Sequence, residues 1–271
     1  MKLKEARSLW EKPEIIWMLE KVTGLNATEL RLADENYELD PKATKMLLDM
    51  LEERRNNVPV QYILGNWEFF GLKMKCSKDV LIPRIDTEIL VEEVISFLQL
   101  SRLGFEKTIA LDLCTGTGCV GISVAPFCDH IVLADLSSQA IELAKENAAL
   151  NGVTDRISFV LSDLFNNIEG HFGLITANPP YIPTNELSSL SEEVKKEPAM
   201  ALDGGSDGLD FYRAIIPDAW EFLLPGGCLF LEVGHNQGKA VANIFHENGY
   251  KAVVMIKDLE ARDRVVRGTR K

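Results

Sequence analysis

The run Ile109-Ala110-Leu111-Asp112-Leu113, continuing as Cys114-Thr115-Gly116-Thr117-Gly118-Cys119-Val120-Gly121, reads as a short apolar strand that turns on glycines into a helix. Glycines at such a turn let the backbone bend sharply and approach a ligand at the positive end of the helix. The next apolar run, Ile131 to Ala134, ends at Asp135, where a carboxylate can accept hydrogen bonds from two ribose hydroxyls. Four more apolar runs follow: Ile157 to Leu161, Leu174 to Ala177, Leu229 to Val233 and Ala252 to Ile256. Helical candidates lie between most of them, among them Ser138 to Asn151 and Gly208 to Leu224. This alternation predicts an α/β domain with a mainly parallel, doubly wound sheet covered on both faces.

The loop alone does not name its ligand. Gly116-Thr117-Gly118-Cys119-Val120-Gly121 is a formal G-x-G-x-x-G, and Asp135 lies 19 residues after Gly116, so the spacing suits NAD and S-adenosyl-L-methionine equally. A purely structural glycine turn is the bland alternative. The tie is broken by the loop after the fourth strand, Asn178-Pro179-Pro180-Tyr181, followed by Ile182 and Pro183. No helix runs through these prolines, because each lacks an N–H and restricts the residue before it. The tetrapeptide is therefore a stiff rim at the carboxyl edge of the sheet, where ligands bind in such folds. The Asn178 amide oxygen and the Pro179 carbonyl can accept hydrogen bonds from an NH2 group, and Tyr181 offers an aromatic face. First and fourth strands are neighbours across the switch point, so both loops are expected to face one crevice. A ribose-bound cofactor facing an NH2 cradle is the layout of methyl transfer to nitrogen, and no His or Tyr-x-x-x-Lys arrangement supplies the proton relay of a dehydrogenase.

Composition bounds the alternatives. The chain has 271 residues, 46% hydrophobic and 26% charged, enough for one large domain and a smaller one. A net charge of -12 leaves no overall basic field for gripping nucleic acid, so no stable nucleic-acid binding is expected. Five cysteines without a C-x-x-C pair and four scattered histidines give no metal-ligand cluster. With no apolar run of spanning length and no apolar segment at Met1 to Trp10, the expected setting is cytoplasmic, off the membrane, with free thiols.

Residues 1–75 read as a small helical domain. Apolar residues recur at helical spacing from Leu9 to Leu25 and at Leu47, Leu48 and Leu51, with Asn26 and Asp40 as N-caps. Its end, Pro59 to Gly71, carries four aromatics and is read as a hairpin linker. Val80 to Arg84 resembles a short strand, leading through Asp86 or Thr87 as a cap into a helix from Ile89 to Leu100. The second domain accordingly spans 76–271.

Several segments together resemble a known family. DLCTGTG, Asp135 and NPPY look like class I, Rossmann-like S-adenosyl-L-methionine-dependent methyltransferases acting on amino groups. More narrowly, PVQYILG at 59–65, VLIPRIDTE at 80–88, NPPYIP at 178–183, EPAMALDGGSDGL at 197–209 and DLEARDRVVRG at 258–268 are similar to the PrmC/HemK family. The resemblance implies N5-methylation of the glutamine in the Gly-Gly-Gln loop of peptide-chain release factors, a step in translation termination, with S-adenosyl-L-homocysteine as the cofactor product. It also implies an N-terminal helical domain that helps dock the release factor. The family's cofactor contacts would fall on Cys114, Thr115, Gly116, Thr117 and Gly118, on Asp135, and on Asp163 and Leu164. Asn178 would touch cofactor and substrate, with Pro179, Pro180 and Tyr181 completing the catalytic pocket.

The chain departs from the family pattern at Cys114, where glycine is common, at Leu164, where an aromatic is often found, and at Ile85-Asp86, where Pro-Glu is usual. A monomer is expected. The competing readings are a glutamine methyltransferase acting on a ribosomal protein, a DNA or RNA adenine N6 methyltransferase, and a non-catalytic binding protein on the same scaffold.

Overall fold

The computed structural model describes residues 1–100 and 107–271. It divides into two units, one of Met1–Asn66 with Ser191–Lys196, the other of Trp67–Leu190 with Glu197–Lys271.

The first unit is helical: α1 (Leu3–Ser8), α2 (Glu14–Thr23), α3 (Ala27–Leu32), α4 (Pro41–Arg55) and α5 (Val60–Leu64). Its core is the apolar stripe of these helices, including Leu3, Met18, Leu19, Leu30, Leu47 and Leu51, all fully buried. The two sequence-predicted caps form. Asn26 Oδ1 accepts from Glu29 N–H at 2.9 Å while Glu29 returns a carboxylate to Asn26 N–H at 2.8 Å, and Asp40 Oδ1 accepts from Ala43 N–H at 2.7 Å. Arg54, buried to 6% exposure, is neutralised by Glu14 at 3.0 Å and by Glu193 of the 191–196 segment at 2.9 Å.

The segment 59–71 is not one hairpin. Pro59 opens the short helix α5, which stops at Gly65 in the left-handed conformation, φ +70°. The hairpin follows, as β1 (Asn66–Phe69) and β2 (Leu72–Lys75). Phe69 and Met74 are buried in the core of the second unit with Leu90, Val91 and Val94, and Phe70 packs against it, so these two phenylalanines serve packing.

The rest of the second unit runs α6 (Glu88–Leu100), β3 (Ile109–Leu113), α7 (Cys119–Val124), β4 (His130–Asp135), α8 (Ser138–Leu150), β5 (Ile157–Leu161), β6 (Phe172–Ala177), α9 (Asp210–Phe222), β7 (Leu223–Glu232), α10 (Gly238–Glu247), β8 (Lys251–Lys257) and β9 (Asp263–Thr269). The sheet order is β5-β4-β3-β6-β7-β9-β8, parallel through β7, with β9 antiparallel to β7 and β8 antiparallel to β9. Side chains alternate between two cores: Ala110, Leu174 and Phe230 pack on the face of α6, while Leu111, Ile175 and Leu231 pack on the face of Tyr212 and Ile216 of α9.

Three sequence expectations change. β9 was unpredicted, because Asp263, Arg264 and Arg267 mask the buried pair Val265 and Val266. β8 is an edge strand with Met255 and Val254 exposed, despite its uniformly apolar run. Residues 80–84 form a loop in place of the expected strand, and a 3-10 turn at Ile85–Thr87, which starts from Arg84 without a side-chain cap, leads into α6. The two residues expected as caps are engaged elsewhere: Asp86 pairs with Arg264 at 2.9 Å, and Thr87 Oγ1 accepts from Asn178.

Candidate active site

The strand order places the two decisive loops side by side. β3 lies between β4 and β6, and the last paired residues of β3 and β6 are Leu113 and Ala177, so Cys114 and Asn178 leave the sheet at the same edge. A cavity of about 1070 Å³ of empty space, open at its mouth, sits over this point. It is lined by Cys114 to Thr117, by Asp135 to Ser137 and by Ser162, Asp163 and Leu164. Asn178 and Pro180 also line it, as do Val80 to Arg84, Pro198 and Met200.

The glycine loop is held by its own backbone and by acids. Cys114 and Gly116 have φ +53° and +55°, and Gly118 has φ +82°. A side chain is tolerated at Cys114 in the left-handed region, at a conformational cost of roughly 1–2 kcal/mol. At Gly118 a side chain would be strained by the left-handed backbone, and its Cβ would press on Ile122 Cδ1 at 2.8 Å and Ala144 Cβ at 3.1 Å. Asp112, fully buried beneath the loop, accepts from Thr115 Oγ1 at 2.6 Å, Thr176 Oγ1 at 2.8 Å and Gly121 N–H at 3.1 Å. Burial pushes its pKa up to about 6, against these three bonds. The Thr117 carbonyl is held by Asn147 Nδ2 at 2.9 Å. Burial and the charges of Asp135, Asp112 and Asp163 raise the Cys114 pKa far enough to keep its thiol protonated, so it is no nucleophile.

Asp135 accepts Gly116 N–H and Ser137 N–H, each at 2.9 Å, one on each oxygen. Burial raises its pKa, and the backbone N–H groups of Ser137, Gly116 and Leu136 oppose that rise. A carboxylate has about four acceptor positions, so lone pairs remain for hydroxyl donors. At Gly116 an added Cβ would approach only Val80 Cγ1, at 3.7 Å across the cavity, so the missing side chain is part of the cavity's space. These features fit a nucleoside cofactor with a vicinal diol.

The proline rim is braced differently. Ile182 N–H donates to Leu202 O at 2.9 Å, Gly204 N–H to Ile182 O at 2.8 Å, and Thr184 N–H to Gly205 O at 2.9 Å. The 203–208 loop thus pairs with the chain just past Tyr181. A Cβ at Gly208 would lie 2.3 Å from Tyr181 O, and one at Gly204 2.7 Å from Tyr181 Cα. Gln237 Nε2 donates to Tyr181 O at 2.9 Å and to Gly208 O at 3.3 Å, while its Oε1 accepts Gly234 N–H at 3.0 Å. Arg84 is ion-paired with Glu197, whose second oxygen accepts Ile82 N–H at 3.0 Å, which ties the 80–84 loop to the 197–201 segment.

Not all the sequence-predicted site residues line the cavity. Cys114, Thr115, Gly116, Thr117, Asp135, Asp163, Leu164, Asn178 and Pro180 do. Gly118 turns back into the core, Pro179 is buried, and the half-buried Tyr181 directs its hydroxyl to Glu232 Oε1 at 3.4 Å. Sequence reasoning passed over Glu232, Thr87 and Gln237. The first was detectable by the rule that found Asp135, as an acid ending an apolar strand at the same sheet edge.

Comparison with known proteins agrees with this architecture. Residues 1–65 match a family model described as the PrmC N-terminal domain, and residues 87–206 match the methyltransferase small domain. Among solved structures, the ribosomal protein L11 methylase from Lactobacillus delbrueckii subsp. bulgaricus has a TM-score of 0.52 at 20% identity, covering 71% of this chain and 82% of its own. The hMettl16 catalytic domain in complex with an RNA hairpin has a TM-score of 0.58 at 15% identity, covering 84% of this chain and 81% of its own. These two share the fold and leave the substrate open. Curated relatives go further. A release factor glutamine methyltransferase from Thermodesulfovibrio yellowstonii is 41% identical over 89% of this chain and 87% of its own length. One from Geobacter sulfurreducens is 39% identical over 94% and 88%. With that identity sustained across nearly the whole length, this chain belongs to the release factor glutamine methyltransferase family.

Proposed function

We propose that this chain methylates the side-chain N5 of the glutamine in the Gly-Gly-Gln loop of peptide-chain release factors, in the cytoplasm, with S-adenosyl-L-methionine as methyl donor. The observation that carries this reading is the adjacency of two loops at Leu113 and Ala177, one suited to a ribose and one to an NH2 group, on a single cavity. In this reading Asp135 holds the ribose hydroxyls, Cys114 to Thr117 lie beneath the amino acid moiety, and Asp163 and Leu164 flank the adenine. Bound S-adenosyl-L-methionine supplies an electrophilic methyl group on its sulfonium sulfur.

The chain's task is to make a poor nucleophile attack. An amide nitrogen shares its lone pair with the carbonyl. Asn178 Nδ2 is committed to Thr87 Oγ1 at 3.2 Å, which leaves Oδ1 as the acceptor facing an incoming amide. Asn178 Oδ1 and the Pro179 carbonyl would each take one N–H, turning the nitrogen's out-of-plane density toward the methyl. Alignment of this kind supplies roughly 7–11 kcal/mol at most, and only while the acceptors stay put. The prolines, the 203–208 loop and Gln237 keep them there. The same oxygens stabilise positive charge developing on nitrogen. Proton release to water suffices once that charge has formed. The helical unit is assigned to docking the release factor.

The test is incubation with methyl-labelled cofactor and, separately, release factor, ribosomal protein or DNA. Label on release factor, at the glutamine, is expected. Label only on ribosomal protein or nucleic acid would reassign the substrate, and no transfer to any of them would leave a binding protein.

A further inference from the structure

Glu197 is buried to 5% exposure, and both of its oxygens are used on one stretch of chain. Oε2 accepts the Ile82 N–H at 3.0 Å, and Oε1 accepts Nη2 of Arg84. A buried carboxylate is stable only where its charge is paired and its lone pairs are engaged, so Glu197 and Arg84 hold each other. Arg84 nevertheless stays 34% exposed at its side chain and lines the cavity. A guanidinium carries five N–H groups in a planar fork, two of them on Nη2. Whichever of these two Glu197 takes, one two-pronged edge of the fork is left, Nη1 with Nη2 or Nε with Nη2. Such an edge matches the two oxygens of a second carboxylate.

The cavity is otherwise acidic. Asp79, Asp112, Asp135 and Asp163 line it, and among the described lining residues Arg84 is the one cation. S-adenosyl-L-methionine carries a sulfonium, an ammonium and a carboxylate. Acids suit the first two charges, and the third needs donors. The glycine loop, the usual receptor for an anion, has turned four of its N–H groups to its own structure. Thr115 N–H donates to Ala134 O at 3.1 Å, Gly116 N–H to Asp135 at 2.9 Å, Gly118 N–H to Thr115 O at 2.8 Å and Gly121 N–H to Asp112 at 3.1 Å. The helix behind the loop, α7, has only six residues.

We propose that Arg84 receives the α-carboxylate of the cofactor's amino acid moiety, with Glu197 as the positioning residue that holds the guanidinium for it. The assignment rests on the methyl-transfer reading above and adds to it the recognition of one end of the cofactor. Glu197 does not touch the ligand. It anchors the guanidinium on one side and the Ile82 backbone on the other, so the 80–84 wall and its single cation are set together. Without that anchor a long, flexible side chain would have to be ordered by the ligand itself, and part of the affinity would be lost to that ordering.

The test is calorimetry with two ligands, S-adenosyl-L-homocysteine and its decarboxylated analogue, which keeps the nucleoside, the thioether and the amine. Arg84→Met, combined with Glu197→Gln so that no acid is left buried alone, is expected to weaken S-adenosyl-L-homocysteine by about 10- to 100-fold and to leave the analogue's affinity unchanged. Arg84→Lys keeps the charge and loses the fork, and should fall between the wild type and the double variant. Glu197→Gln alone still accepts the Ile82 N–H but releases the guanidinium, and should also lose affinity selectively for the ligand that bears the carboxylate. Melting temperatures record the folding of each variant, and if the double variant does not fold, Arg84→Lys decides by the same ratio of affinities. Equal weakening of both ligands, or of neither, would overturn the proposal. A defect confined to KM for release factor would overturn it too, by turning Arg84 toward the protein substrate. Failure of the wild type to bind either ligand would instead overturn the methyl-transfer reading.

Discussion

The two rims of the cavity, the glycine loop after β3 and the proline ledge after β6, meet at one sheet edge and are stabilised in opposite ways. The glycine loop is a local device. Its left-handed residues Cys114, Gly116 and Gly118 lie within five positions, and the acids that hold it, Asp112 and Asp135, sit at the ends of the adjoining strands. The ledge has stiff residues of its own but depends on remote ones: Gly204 and Gly208 against its backbone, Gln237 on the Tyr181 carbonyl, Thr87 on the Asn178 amide. A loop that only binds tolerates local bracing. The proposed role of the ledge, aligning a weak nucleophile to within a fraction of an ångström, calls for bracing from several elements.

The difference makes separable predictions. On the proposed mechanism Asn178→Ala removes an acceptor at the reacting nitrogen, and kcat should fall by about a thousandfold or more while calorimetry shows cofactor binding retained. Loss of cofactor binding in step with activity would merge the two rims. Gly208→Ala adds a Cβ 2.3 Å from the Tyr181 carbonyl at φ +76°, far from the glycine loop in sequence. It should shift the ledge and cost about a hundredfold in kcat, again with cofactor affinity kept. Asp135→Ala should do the reverse, weakening cofactor affinity by about 10- to 100-fold through the loss of charged hydrogen bonds, with kcat recovered at saturating cofactor. The smallest effect is expected at Cys114. Replacing it by glycine relieves left-handed strain but adds freedom to the unfolded chain, for a net gain of about 0.5 kcal/mol, read as a rise of about one degree in melting temperature.

That contrast also decides what the sequence could disclose. The parallel strands, the glycine loop and Asp135 were legible because each signal is contiguous: an apolar run, a turn, an acid at a strand end. The caps at Asn26 and Asp40 were legible for the same reason. The stiffness of Asn178 to Tyr181 was legible from its prolines. The bracing was not, because Gln237 and Thr87 reach the ledge across 56 and 91 residues of chain. β9 escaped notice because its buried valines are flanked by charged residues engaged in ion pairs. The aromatic cluster of 59–71 misled because it straddles a helix, a left-handed stop and a hairpin, which periodicity averages together.

The most direct test of the account is to locate the transferred methyl group by peptide fragmentation after incubation of release factor with cofactor and this protein. One methyl on the glutamine nitrogen of the Gly-Gly-Gln loop, absent when Asn178→Ala replaces the wild type, is the predicted result. A methyl on any other residue, or the same modification made at full rate by Asn178→Ala, would contradict the claim that the proline ledge presents the amide for transfer.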